Sequence, residues 1–247
     1  RVNVDATSDL TLAVGQGLNL MSGTTVNIEA RHVNEAFGAV SSAGGGVVRV
    51  ADSRVNSHTN STTTVSFEGD VGTVGEEGAS GFSMNAQTRS VAEGTMAAAG
   101  GGIANITSGR ATAVSNGTLN MTFAGTGTVM NVGATGITAK ADLLTDADTS
   151  ARSSGGGLVE ASDVETDSTA TGTVNYVVGD STSSVTSGDV TLTATHGGAG
   201  SNVSDGTITG SSETANTIDF GARHLLQDGA DIIFTGSTQG GLENGKA

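Results

Sequence analysis

A short alternating strand that returns at nearly constant spacing is the feature that most limits how this chain folds. Val26, Ile28 and Ala30 occupy alternate positions, and the same pattern of apolar or small residues returns at Phe82, Met84 and Ala86. It recurs at Ile137, Ala139 and Ala141, and again at Val190, Leu192 and Ala194. Successive starts lie 56, 55 and 53 residues apart. Alternation with a period of two marks a strand with one buried face. Its return at a fixed interval marks stacked supersecondary units. A further copy stands at Val2, Val4 and Ala6, and a weaker one contains Ile232 and Phe234.

The units share more than one strand. A glycine triplet follows the closing alanine by 14 residues in three of them, at 44–46, 100–102 and 155–157. A second strand after each triplet is expected to point Val48 and Val50, Ala104 and Ile106, and Val159 and Ala161 inward. A third strand supplies Val65 and Phe67, then Leu119, Met121 and Phe123, then Val174, Tyr176 and Val178. Glycine-rich turns close each unit. The boundaries expected from this pattern are full units at 26–81, 82–136 and 137–189. They are flanked by a partial unit at 1–25, carrying the third strand as Leu10, Leu12 and Val14, and a divergent unit at 190–247. In the divergent unit Ile218 and Phe220 resemble the third strand. Terminal units that depart from the pattern are usual in stacked repeats.

Composition supports an all-β reading. The chain has no proline, although about a dozen would be expected at average usage in 247 residues. Proline cannot donate to a ladder, so a chain paired on both sides nearly everywhere would exclude it. Ser and Thr make up about a quarter of the residues, and Thr and Val favour strands. Only 35% of residues are hydrophobic and 3% aromatic, a level at which a chain without pattern would stay disordered. The recurring alternation argues against disorder. The expected fold is a β-solenoid, a parallel β-helix of repeats about 55 residues long, forming a single repeat domain over 1–247. Each repeat is expected to divide into three coils of about 18 residues or two of about 27. The alternative is a β-sandwich of antiparallel strands joined by glycine-rich hairpins.

The formal net charge of −15 makes nucleic acid an improbable partner, because such a surface repels phosphate. No run of apolar residues is long enough for a membrane-spanning helix, so membrane insertion is not expected. The absence of cysteine permits an oxidising compartment. Neither a signal peptide nor a sorting tail is visible, which fits a mature or excised segment.

Motifs that would carry chemistry are sparse. His32, His58, His196 and His224 stand in no zinc-ligand spacing, and no cysteine is present to join them. No serine lies in a nucleophile elbow, and no glycine-rich stretch ends as a phosphate loop does. Calcium is the strongest chemical alternative. Acidic clusters at Glu68 and Asp70, at Glu76 and Glu77, and at Asp142, Asp146 and Asp148 supply hard oxygen ligands. Residues 197–202 approach a calcium-roll nonapeptide but carry Asn202 where a ligand aspartate should stand. Five glycosylation sequons, at Asn60, Asn105, Asn116, Asn120 and Asn202, are about the number chance supplies. A polysaccharide-cleaving β-helix would need clustered carboxylates and aromatic subsites. Trp is absent, Tyr176 is expected to point inward, and no carboxylate pair recurs in one column, so no catalytic residues are expected. Ice binding would want a regular Thr column, and the outward positions Asn27, Ser83, Thr138 and Thr191 of the first strand are too mixed for one.

The strand, the 14-residue offset, the triplet and the Ala/Thr alternation that follows, such as Arg110 to Val114, resemble the repeats of large bacterial surface adhesins. The families concerned are the filamentous-haemagglutinin-like and leukotoxin-type filamentous adhesins, and the resemblance covers residues 2–194. It implies a secreted rod or fibre at the cell surface, without catalytic residues. The expected function is therefore a structural one, as a filament subunit or adhesin shaft. Open sheet ends favour end-to-end self-association, with Val2, Val4, Leu10, Leu12, Ile232 and Phe234 as candidate contacts. A glycan or a cell-surface protein bound along the rod is the alternative partner.

Overall fold

The structure, a computed structural model, describes residues 1–156, 158–179, 182–197, 201–203, 207–209 and 215–219. These form strands and turns without a helix among the described residues. Long elements alternate with short ones: β1 (Val2–Val14), β2 (Asn19–Leu20), β3 (Thr25–Phe67), β4 (Asp70–Val71), β5 (Ala79–Phe123), β6 (Val129–Gly156) and β7 (Val159–Val178). After these come β8 (Ser184–Thr186), β9 (Val190–Gly197), β10 (Ser201–Val203), β11 (Thr207–Thr209) and β12 (Ala215–Asp219). All the strand pairings are parallel, as in a β-solenoid, and no barrel closes.

The register settles the size of a coil. Val26 pairs with Phe82, Phe82 with Ile137, and Ile137 with Val190. One repeat is therefore one turn of the solenoid, in place of the two or three shorter coils expected. The ladder between β3 and β5 runs from Thr25↔Gly81 to Phe67↔Phe123 and carries through the glycine triplet, Gly44↔Gly100 to Gly46↔Gly102.

A strand as long as β3 folds back on itself, and cross-core contacts trace the fold. His32 Nδ1 lies 2.9 Å from Thr63 Oγ1, Asn34 Nδ2 donates to the Asn60 carbonyl at 3.1 Å, and Ser53 Oγ donates to Ser42 Oγ at 3.1 Å. The sequence separation shrinks towards the triplet, so each coil has two arms that face each other and meet at a glycine tip. There the Arg49 side chain lies across the backbone of Gly100, in space that any side chain on Gly100 would occupy. At the opposite end the short strands β2, β4 and β8 and the start of β6 stack as a narrow third side.

The core is graded along the arms. At the base, Phe67, Phe82, Met84, Leu119, Met121 and Phe123 are fully buried. Tyr176 joins them, its hydroxyl donating to the Ala139 carbonyl at 3.1 Å, and burial pushes its phenol above the ordinary value. Midway along the arms the inward positions turn polar. Thr88 Oγ1 donates to Thr63 Oγ1 at 2.6 Å, and Ser90 Oγ to Thr59 Oγ1 at 2.9 Å. These bonds offset the cost of burying hydroxyls. Towards the tip, Val55, Met96, Ala98 and Ala111 form a second apolar cluster.

After the triplets Val48, Val50, Ile106 and Ala161 do not point inward as expected, and the side chain of Val159 lies outside the described residues. Val48 and Val50 are 68% and 72% exposed, Ile106 is 45% exposed, and Ala161 also faces out. Arg49 and the buried Asn105 take the inward positions instead. The second and third strands of a unit are one continuous arm, so one parity governs both. With Val65 and Phe67 inward at odd positions, the even Val48 and Val50 must point out. Two further expectations shift with the register. Val2, Val4 and Ala6 pair with Val55, Ser57 and Thr59, which places them in the second arm and not in the column of Val26. Ile218 pairs with Leu192, in the first-strand column and not the third.

Candidate functional site

Three features of this solenoid can meet a partner: its open end, its acidic turns and its two broad faces. At the open end β1 pairs with β3 on one side and with nothing on the other among the described residues. The first arm of β3 likewise pairs only with β5. The Val14 carbonyl accepts from the Glu68 N–H at 2.8 Å, towards the body of the solenoid. Successive residues of a parallel strand turn their backbone groups to opposite neighbours. The even residues of β1 therefore serve the ladder, while Asn3, Asp5, Thr7, Asp9 and Thr11 present N–H and C=O to the open edge.

The side chains at this end are incompletely covered. Val2, Val4, Leu10 and Leu12 point inward and are half-buried, as are Val26 and Ile28. One coil further in, Val55 and Val65, the partners of Val2 and Leu12, and Phe82 and Met84, the partners of Val26 and Ile28, are fully buried. The remaining candidate contacts, Ile232 and Phe234, lie outside the described residues.

The acidic residues do not converge. Glu76 and Glu77 are exposed at the base turn, and Glu77 lies over Gly133 of the next coil. The Glu68 side chain covers Gly125, and Asp70 Oδ1 accepts from the Val129 N–H at 2.7 Å, tying two coils together. Asp142 pairs with Lys140 at 3.4 Å, while Asp146 and Asp148 lie further along the same outward row. No cluster of three or more metal-binding side chains occurs among the described residues. In the calcium-roll-like stretch, residues 198–200 lie outside the described residues.

The histidines are equally dispersed. His32 sits in the core between Ser8 Oγ, at 2.7 Å, and Thr63. His58 faces out beside Asp5. His196 packs at the end of β9 with Nε2 3.2 Å from Thr145 Oγ1, and desolvation lowers its pKa. His224 lies outside the described residues.

The two broad faces differ in chemistry, which periodicity along the chain could not reveal. The first-arm face is mixed and charged, with Glu29, Arg31, Glu35, Arg89, Lys140 and Asp142 pointing out. The second-arm face nearer the base is uncharged across three coils. Thr62 pairs with Thr118 and Thr118 with Thr173, a single-residue column. Beside it run the columns Asn60, Asn116, Thr171 and Thr64, Asn120, Asn175. Asn175 Nδ2 donates to Asn120 Oδ1 at 2.8 Å, which ties these amides together between rungs. Of the sequon asparagines, Asn60, Asn116 and Asn120 lie on this face, whereas Asn105 is buried.

No family model matches the chain, and no curated protein and no solved structure is similar to it.

Proposed function

We propose that this chain is a non-catalytic structural element of the cell surface, a solenoid that builds a filament or adhesin shaft by stacking end to end with further copies of itself. The observation that carries this reading is the open first rung. Its backbone edge is unpaired among the described residues, and its inward apolar side chains are half-buried where the next coil's are covered. A further coil of the same kind would complete both. Strand addition supplies backbone bonds, and the Val2, Val4, Leu10 and Leu12 side chains supply apolar area. The resemblance to filamentous adhesin repeats supports the same placement outside the cell.

Electron microscopy of the purified chain tests it. The double variant Thr7→Pro/Thr11→Pro removes N–H groups that face the open edge while sparing the ladder to β3. Filaments of the unaltered chain and isolated short rods of the variant are the expected outcome. Short rods from both, or filaments from both, would overturn end stacking at this edge.

A further inference from the structure

The uncharged base half of the second-arm face is not needed for end stacking, and its composition calls for its own explanation. Strand propensity favours Thr wherever a side chain points outward from a sheet. The first-arm face is under the same constraint, yet it carries both signs of charge. The second arm carries charge too, but only towards the tip, at Asp52, Arg54, Arg110, Glu165 and Asp167. In a chain of net charge −15, its base half keeps three adjacent columns uncharged over three coils.

The face is also periodic in two directions. Rungs stack about 4.8 Å apart and alternate residues along an arm lie about 6.6 Å apart. Each Thr of the central column offers a methyl group and a hydroxyl that both donates and accepts. The Asn120 and Asn175 amides are held by bonds between rungs, Asn175 to Asn120 and Asn120 Nδ2 to Thr64 Oγ1 at 3.4 Å. A folded soluble partner, with no lattice of its own, gains nothing from such repetition. A crystal surface does, because a weak contact repeats at every lattice point and the preordered side chains lose little entropy on binding. The face has no aromatic ring to stack on a sugar, and its neutral hydroxyl and amide groups match the hydrogen-bonding chemistry of water.

We infer that the Thr62–Thr118–Thr173 column and its flanking Asn and Thr residues form an ice-binding face. The column ends on β1, where Asp9 takes the same position and pairs with Thr62. A carboxylate there holds its own hydration shell and marks the border of the field.

Ice adsorption tests this directly. The full chain is frozen slowly from dilute solution onto a cold finger, and the protein in ice and liquid is compared with that of a bystander protein. Thr118→Lys and, separately, Thr173→Lys place a charge in the column. Gln87→Lys makes the same charge change on the opposite broad face, and circular dichroism checks that all three remain folded. Enrichment in ice for the unaltered chain and Gln87→Lys, with loss of enrichment in both Thr variants, is the expected result. Exclusion of the unaltered chain from ice would overturn the inference, as would adsorption by folded Thr118→Lys and Thr173→Lys equal to that of the unaltered chain. Depletion by crystalline cellulose without ice adsorption would assign the face to a polysaccharide and overturn it equally.

Discussion

The ring of Phe82 lies 4.8 Å from that of Phe67, although Phe67 closes the second arm of one coil and Phe82 opens the first arm of the next. Phe123, one coil above Phe67, stands 5.7 Å from Phe82. Consecutive coils are therefore joined by tilted aromatic contacts as well as by the ladder. Phe82→Ala should destabilise the solenoid by about 3–5 kcal/mol, since it removes the ring that contacts both Phe67 and Phe123 and leaves a cavity at the base. Urea unfolding followed by circular dichroism reads this as a lower midpoint.

The orientation of the second arm makes an opposed pair of substitutions informative. Val48→Asp and Ile106→Asp place a carboxylate in solvent and should each change stability by less than about 1 kcal/mol. Val55→Asp, at a position with no exposure, buries an unpaired charge and should cost more than about 4 kcal/mol or abolish folding. Equal damage from Val48→Asp and Val55→Asp would refute the continuous-arm geometry.

His196 makes the packing of β9 on β6 sensitive to pH. Desolvation lowers its folded-state pKa, so the neutral ring is the form that folding favours. Above the ordinary imidazole value of about 6.5 both states are neutral and this contribution is fully present. As pH falls below it the unfolded chain takes up the proton first, and stability is lost until the folded-state pKa has been passed. Denaturant midpoints at pH 7.5 and pH 5.5 should therefore differ more for the unaltered chain than for His196→Gln. An identical difference in both would place the acid sensitivity elsewhere.

Electrostatic repulsion between copies opposes stacking in a chain of charge −15. Raising ionic strength from about 0.01 M to about 0.15 M shortens the screening length from about 30 Å to about 8 Å. Light scattering should show longer assemblies at the higher salt, and the Thr7→Pro/Thr11→Pro variant should stay short at both. Assembly that weakens with salt would point to charge pairing in place of edge pairing.

The spacing of Val26, Phe82, Ile137 and Val190 along the chain is the stacking interval of the solenoid, and their inward direction follows from alternation that is local and needs no partner. Leu119, Met121 and Phe123 were legible for the same reason, and so were the half-buried Leu10 and Leu12 of the first rung. The size of the coil was not legible, because three separate short strands and one long arm with a bend share the same glycine punctuation. Val48, Val50 and Ile106 were misplaced on that account. Apolar character suggested inward, and only an unbroken arm, holding parity from Val48 through to Phe67, turns them out. The Thr column was hidden for a different reason. Thr62, Thr118 and Thr173 stand at the outward positions of strands legible by their inward apolar residues, and they become neighbours through offsets of 56 and 55 residues that only the register between second arms aligns. What the sequence determined alone is the period and the local alternation, which are properties of one strand. Which rows come to lie on a common face, and which edge stays open, was decided by the register between coils, because a ladder aligns residues that the chain keeps far apart.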